Sequence, residues 1–276
     1  MKLTYLGTAA AEGWPAMFCY CDSCKRAIEA GGRNIRTRTQ GLVDDKLLID
    51  FPADTYLHVL YHGLDLKNIP ACIVTHNHSD HLYAPDFEMR RKGFAHLEEE
   101  TLLTVYGTEA VEKDANQIIH MYELDQENRV KFQKITPFEP FEVMDYIITP
   151  LKANHDPSSN PVIYSIRKGN KNILYANDTG YFPEETWSYL TEQGLHFDVI
   201  SLDCTLGIEE CRDGHMGIAT NVEVKERLLK SSCADENTIF IIHHFSHNGK
   251  ATYDEMVPIA AKEGFEVSYD GMSIEV

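Results

Sequence analysis

The sequence predicts an α/β fold, a four-layer αββα sandwich of two mixed sheets in a single domain spanning residues 1–276. Three observations lead there. Each half of the chain runs from strands into helices, which predicts two similar layers packed face to face. No Pro/Gly/Ser-rich linker and no low-complexity tract separates the halves. Histidines and aspartates stand at the ends of predicted strands in both halves, so one site can draw on the two layers together.

The elements follow in order. Leu3–Leu6 and Leu47–Ile49 read as strands joined by a long loop that carries Cys19, Cys21 and Cys24 and the basic run Arg33, Arg36, Arg38. Asp54–Tyr61 reads as a helix with Leu57, Leu60 and Tyr61 on one face, and Ile69–Val74 as a strand. Leu102–Tyr106 is a further strand, and Thr108 is an N-cap for a helix to about Met121, with Glu109 and Glu112 in its first turns. The run Glu98-Glu99-Glu100 before it reads as a solvated face. Closely spaced strands come next at Val130–Ile135, Phe141–Met144, Tyr146–Leu151, Val162–Arg167 and Asn172–Tyr175, with Pro, Asp and Gly-Asn in the turns. Helix then alternates with strand: Pro183–Glu192, Phe197–Leu202, Ile218–Lys230, Thr238–Ile242, Thr252–Glu263 and a final pair of strands ending at Val276.

Composition narrows the function. A formal charge of −18 repels nucleic acid and anionic membranes at long range and biases the partner towards small molecules. The amino-terminal stretch is too short in apolar length for a signal peptide, and no apolar run approaches the roughly 20 residues of a membrane span. A cytoplasmic protein is expected. In a reducing compartment, the cluster of three cysteines points to a metal before a disulfide.

The densest chemistry is Thr75-His76-Asn77-His78-Ser79-Asp80-His81. In extended backbone the side chains of i and i+2 point the same way, so His76 and His78 are aimed at one point. Asp80 and His81 are adjacent and diverge, which lets them serve a second ion nearby. Imidazole nitrogens mixed with a hard carboxylate oxygen suit zinc, iron or manganese better than calcium or magnesium. Further ligands are sought at other strand ends. His155 follows Tyr146–Leu151, Asp178 follows Ile173–Ala176, and His243 or His244 ends Ile239–Ile242.

With these residues in place, the chain resembles the metallo-beta-lactamase superfamily, whose pattern is His-x-His-x-Asp-His, a lone His, a bridging Asp and a final His. The resemblance covers the whole chain in that order and implies the metallo-beta-lactamase fold. It implies that His76, His78 and His155 hold one divalent ion, zinc or manganese, that Asp80, His81 and His244 hold another, and that Asp178 bridges them. Asp50 matches the aspartate that orients the histidine loop, although Phe51-Pro52 stands where the family usually carries glycine. Leu6-Gly7-Thr8, Gly13-Trp14-Pro15 and Cys19-x-Cys21-x-x-Cys24 resemble the branch containing the phosphoribosyl cyclic phosphodiesterase of the carbon-phosphorus lyase pathway. In that branch the three cysteines and a histidine three residues beyond the last active-site ligand, here His247, hold a structural zinc, and this spacing selects His244 over His243. Three thiolates and one imidazole would make a closed tetrahedral shell. Asp203-Cys204 and Gly214-His215 also match, and the branch places a general acid at the position of His215, by itself an ordinary loop histidine.

The expected activity is metal-dependent hydrolysis at a dinuclear centre, with Asp80 and His215 as catalytic residues and a small phosphodiester, such as a cyclic sugar phosphate or nucleotide, as substrate. Lactone or thioester hydrolysis on the same centre, tRNA 3′ processing and a non-catalytic role in cofactor biosynthesis are the alternatives. The charge balance disfavours tRNA, and the intact ligand set disfavours a dead site. Arg33, Arg36 and Arg38 read as a solvated helix face in preference to a second phosphate site. The choice between monomer and homodimer stays open.

Overall fold

The computed structural model describes residues 1–97 and 101–276, so the acidic run Glu98-Glu99-Glu100 lies outside the described residues. Strand alternation sets the layering. Leu47, Ile49, Ala71 and Ile73 face the opposite sheet, whereas Leu48 and Cys72, one position out of phase, face the helices outside. The first sheet holds β1 (Lys2–Gly7), β2 (Gln40–Val43), β3 (Leu47–Ile49), β4 (Ala71–Ile73), β5 (Leu103–Gly107) and β6 (Val130–Lys134). The second holds β7 (Phe141–Val143), β8 (Tyr146–Lys152), β9 (Val162–Lys168), β10 (Lys171–Ala176), β11 (Val199–Asp203), β12 (Ile239–His243) and β13 (Glu266–Val267). The last strand, β14 (Met272–Glu275), returns to the first sheet beside β1. Among the described residues each sheet has seven strands, in the orders β14-β1-β2-β3-β4-β5-β6 and β13-β12-β11-β10-β9-β8-β7. Each is antiparallel at one end and parallel at the other, with the change at β3 in the first and β10 in the second.

Helices cover both outer faces. The helices α2 (Thr55–His62) and α3 (Glu109–Met121) lie on the first sheet, where Val111, Ala115 and Ile119 seal a core with Leu48, Cys72 and Val105. On the second sheet lie α1 (Asp22–Ala30), α4 (Glu184–Glu192), α5 (Ile218–Lys230) and α6 (Tyr253–Lys262), packed through residues such as Cys24, Trp187, Val224 and Met256. Between the sheets, Tyr5, Ile49, Ile73, Tyr164, Tyr175 and Ile241 form the third core. This is the αββα sandwich of two mixed sheets. Among the described residues, no helix is long and apolar enough to cross a membrane.

Several local expectations are corrected. The loop after β1 contains α1 and β2. In α2 the residues facing inward are Thr55 and His58, because His58 hydrogen-bonds Gln40 and Thr37; Leu60 and Tyr61 are 54% and 76% exposed. Helix α3 has Thr108 at its N-cap as expected, yet among the described residues the Thr108 hydroxyl makes no capping bond. The final pair of strands is present, with β13 and β14 in different sheets. Arg33, Arg36 and Arg38 form no solvated helix face: Arg36 is buried over the Phe245 ring, Arg33 stacks on Tyr269, and Arg38 pairs with Asp54 at 2.9 Å.

Candidate metal centre

The strand ends at one edge of the sandwich deliver the titratable side chains. His76, His78, Asp80 and His81 follow β4, Asp50 follows β3, His155 follows β8, Asp178 follows β10, Asp203 ends β11 and His244 follows β12. The crevice beyond the carboxyl ends of strands is the usual binding place in α/β sheets. Asp50 (φ 65°) and His244 (φ 62°) both take left-handed backbone, which lets each chain leave its strand in a sharp bend. The Phe51-Pro52 sequence is accommodated: Phe51 N–H donates to His81 O at 2.7 Å, and Phe51 O accepts from Tyr83 N–H at 2.7 Å.

Within this edge the ligating atoms of His76, His78 and His155 lie within 4.8 Å of one another, as do those of Asp80, His81, Asp178 and His244. Asp178 stands between the two groups. Its Oδ2 is 3.8 Å from His76 Nε2, 3.8 Å from His155 Nε2 and 3.2 Å from His81 Nε2, while Oδ1 is 2.9 Å from His244 Nε2. Asp80 and His81, expected to diverge, meet at 3.2 Å and share one group.

The surroundings fix which nitrogen of each imidazole faces inward. Thr75 Oγ1 donates to Asp50 and so accepts from His76 Nδ1 at 3.1 Å, and Asp50 Oδ2 accepts from His81 Nδ1 at 2.8 Å. His155 Nδ1 donates to Gly214 O at 2.9 Å. Thr205 Oγ1 donates to Asp203 and accepts from His244 Nδ1 at 2.8 Å. Each of these four rings therefore turns its Nε2 towards the centre. His78 is reversed, with Nε2 3.4 Å from Asp156 Oδ2 and Nδ1 3.2 Å from His155 Nε2. Holding a ring by its outer nitrogen is how proteins orient metal-binding histidines.

The donor set fits divalent metal. His76 Nε2, His81 Nε2, His244 Nε2 and Asp178 Oδ1 are buried with no hydrogen-bond partner among the described residues, although carboxylates lie close by in poor alignment. Orphaned buried polar atoms are costly unless something else satisfies them. Burial would lower the His81 and His244 imidazoles, but the carboxylates of Asp178 and Asp80 outweigh it, holding His81 well above its ordinary range and His244 at about 10. Burial would likewise raise Asp178, and His244 and His81 instead hold it well below the usual carboxylate range. These carboxylates thus favour positive charge at the middle of the cluster, which is what the donor set offers a cation.

A second cluster joins Cys19, Cys21, Cys24 and His247, whose ligating atoms also lie within 4.8 Å of one another. His247 Nδ1 is 3.6 Å from Cys19 Sγ and 3.4 Å from Cys21 Sγ. Tetrahedral zinc with N and S ligands has an edge of about 3.5 Å, so the spacing suits that ion. Cys21 sits at the start of α1; burial alone would raise its thiol, but the Cys24 N–H and His247 bring it down to about 6.

The first cluster opens into a cleft of about 320 Å³ lined by Ala10, Glu12, Leu206, His215, Ser246 and Asn248 together with the ligating residues. His215 stands at its edge, its ring centroid 4.8 Å from that of His155, and Asp203 Oδ2 accepts from His215 Nδ1 at 3.0 Å. Burial would lower that imidazole, and Asp203 raises it above its ordinary value. Asp203 is fully buried and also accepts from Met216 N–H. Three partners escaped the sequence-based site: Thr205, Asp156 and Glu12. Asp203 itself is an aspartate at a strand end, the same signal that located Asp178, whereas Glu12 and Thr205 lie in loops with no distinguishing pattern.

A family model described as beta-lactamase superfamily domain matches residues 50–244. No curated protein matches significantly. Among solved structures, the chain is similar to a diphosphatase from the PhnP family, at 23% identity and TM-score 0.74 over 100% of this chain and 97% of that one. It is similar to zinc-bound PqqB from Methylobacterium extorquens, at 20% identity and TM-score 0.75 over 100% of both chains. It is also similar to YhfI from Bacillus subtilis, a metallo-beta-lactamase fold protein, at 17% identity and TM-score 0.70 over 100% and 99%. These likenesses show a shared fold. The family match opens at the aspartate behind the histidine loop and closes at the last histidine of the cluster, across well over half of the chain, which therefore belongs to the beta-lactamase superfamily.

Proposed function

We propose that this metal-dependent hydrolase carries two divalent ions, zinc or manganese, and cleaves a small phosphodiester, a cyclic sugar phosphate or nucleotide-like diester. The observation that carries the reading is Asp178, set between three histidines on one side and Asp80, His81 and His244 on the other. Bound ions would supply Lewis acidity and an activated water. His76, His78 and His155 would hold one, Asp80, His81 and His244 the other, and Asp178 both. The cysteine cluster with His247 would hold a structural zinc.

The chain's own residues supply the rest. Asp203 fixes Nδ1 of His215, leaving Nε2 to face the cleft, and keeps that ring protonated at higher pH than a free histidine. That is the arrangement a general acid needs to protonate a departing alkoxide. A cleft of about 320 Å³ suits a small molecule, and a net charge of −18 disfavours a polynucleotide. The likeness to the PhnP-family diphosphatase supports phosphorus chemistry by analogy of fold.

The test is a panel of phosphodiesters, lactones and thioesters presented to zinc- or manganese-loaded protein. Turnover of a cyclic or ribosyl phosphodiester, abolished by chelation, is expected. Turnover of a lactone or thioester with none of any diester would replace this reading by carbonyl chemistry on the same centre.

A further inference from the structure

Part of the cleft lining is built by Glu12, Ser246 and Asn248. Glu12 is held in place: its Oε1 accepts from Ser246 Oγ and, at 3.4 Å, from Asn248 Nδ2, and lies 3.3 Å from His247 Nε2. All three contacts fall on Oε1, so Oε2 is the oxygen left for a ligand. The side chain is 30% exposed, at the mouth of the cleft.

Among the described residues lining the cleft there is no arginine or lysine. The cations on neighbouring segments are already engaged. Arg38 donates to Ala11 O at 2.7 Å but pairs with Asp54. Lys250 pairs with Glu209 at 2.7 Å, and Arg212 pairs with Glu223 while lying 3.9 Å from the Tyr181 ring centroid. Ions held by the metal ligands would neutralise one phosphoryl group and His215 serves the leaving group, but among the described residues lining the cleft no arginine or lysine offers charge to a second phosphate. A fixed carboxylate instead repels one.

Resting on the phosphodiester reading, we infer that Glu12 determines specificity: the part of the substrate beyond the reacting phosphorus is a polyol without a further phosphate, and its hydroxyls donate to Glu12. A carboxylate accepting from sugar hydroxyls is a standard way to recognise ribose, and the same group penalises a phosphate placed there. Buttressing by His247, a residue of the cysteine cluster, keeps this carboxylate from swinging aside.

The test compares ribosyl 1,2-cyclic phosphate with its 5-phosphorylated counterpart on metal-loaded protein. Wild type should favour the unphosphorylated sugar by at least about tenfold in kcat/KM, expressed mainly in KM. Glu12→Gln, which keeps the amide oxygen at Oε1 but loses the charge, should bring the two substrates within about threefold, with metal content measured alongside. Equal or better turnover of the phosphorylated sugar by wild type would overturn the inference and leave the phosphodiester reading standing, as would a preference unchanged in Glu12→Gln. If neither diester were cleaved while a lactone or thioester was, the phosphodiester reading would fall and this inference with it.

Discussion

Replacing His215 by alanine removes the one imidazole at the cleft edge that is held by an aspartate and lies outside the two groups of ligating atoms led by His76 and Asp80. A sugar alkoxide needs a proton as it departs, whereas a nitrophenolate leaves without one. His215→Ala should therefore cost about 10²- to 10⁴-fold in kcat on a ribosyl or alkyl phosphodiester and much less on bis(p-nitrophenyl) phosphate. The contribution of Asp203 can be bounded from its contact with Nδ1 at 3.0 Å. A hydrogen bond to a charged group contributes about 1.5–3 kcal/mol, so Asp203→Asn should cost roughly 10- to 150-fold on the alkyl substrate. Asp203 also holds Thr205 and, through it, His244, so at matched metal content its remaining effect on the leaving group runs through His215 and the double variant should be no slower than His215→Ala alone. The assay is steady-state hydrolysis of both substrates by the three variants at matched metal content. Equal losses on the two substrates would assign His215 a positioning or electrostatic role, and additive losses in the double variant would break the proposed link to Asp203.

Elemental analysis of gently purified protein should approach three transition-metal equivalents per chain; a value near one that re-addition did not raise would sink the two-cluster reading. Asp178→Ala should leave the fold largely intact and reduce metal to about one equivalent, held by the cysteines, since it removes the carboxylate between the two histidine groups. Cys21→Ser should weaken the cysteine site and lower Tm by at least about 5 °C, because metal binding there contributes to folding; an unchanged melting curve with the metal gone would deny it that role. Loading the main centre should release protons. His81 and His244 are held above their ordinary values, so they are protonated in metal-free protein near neutrality and must lose those protons to bind. Calorimetry in buffers of different ionisation enthalpy should show about two protons released at pH 7, falling as the pH rises through about 10 towards prior deprotonation of His244.

The sequence by itself determined the parts of this protein whose physics is local. The apolar run Leu47–Ile49, the apolar runs of the second sheet and the 3.6-residue period of Ile218–Lys230 report burial through neighbouring residues, and the observed strands and helices follow them closely. The histidine motif was legible for the same reason, since its spacing already implies convergence. Tertiary structure decided whatever depends on partners distant in the chain. Strand β2 is short and buried on both sides, and its identity comes from pairing with β1 and β3. The face of α2 was misjudged because His58 is buried by Gln40 and Thr37, polar partners that apolar periodicity cannot register. That Met272–Glu275 crosses to pair with β1, about 270 residues away, has no local signature at all. Glu12 is the functional counterpart: a glutamate in an irregular loop has no meaning in the sequence, and only the approach of Ser246, His247 and Asn248 to it turns it into part of a wall beside the metal centre.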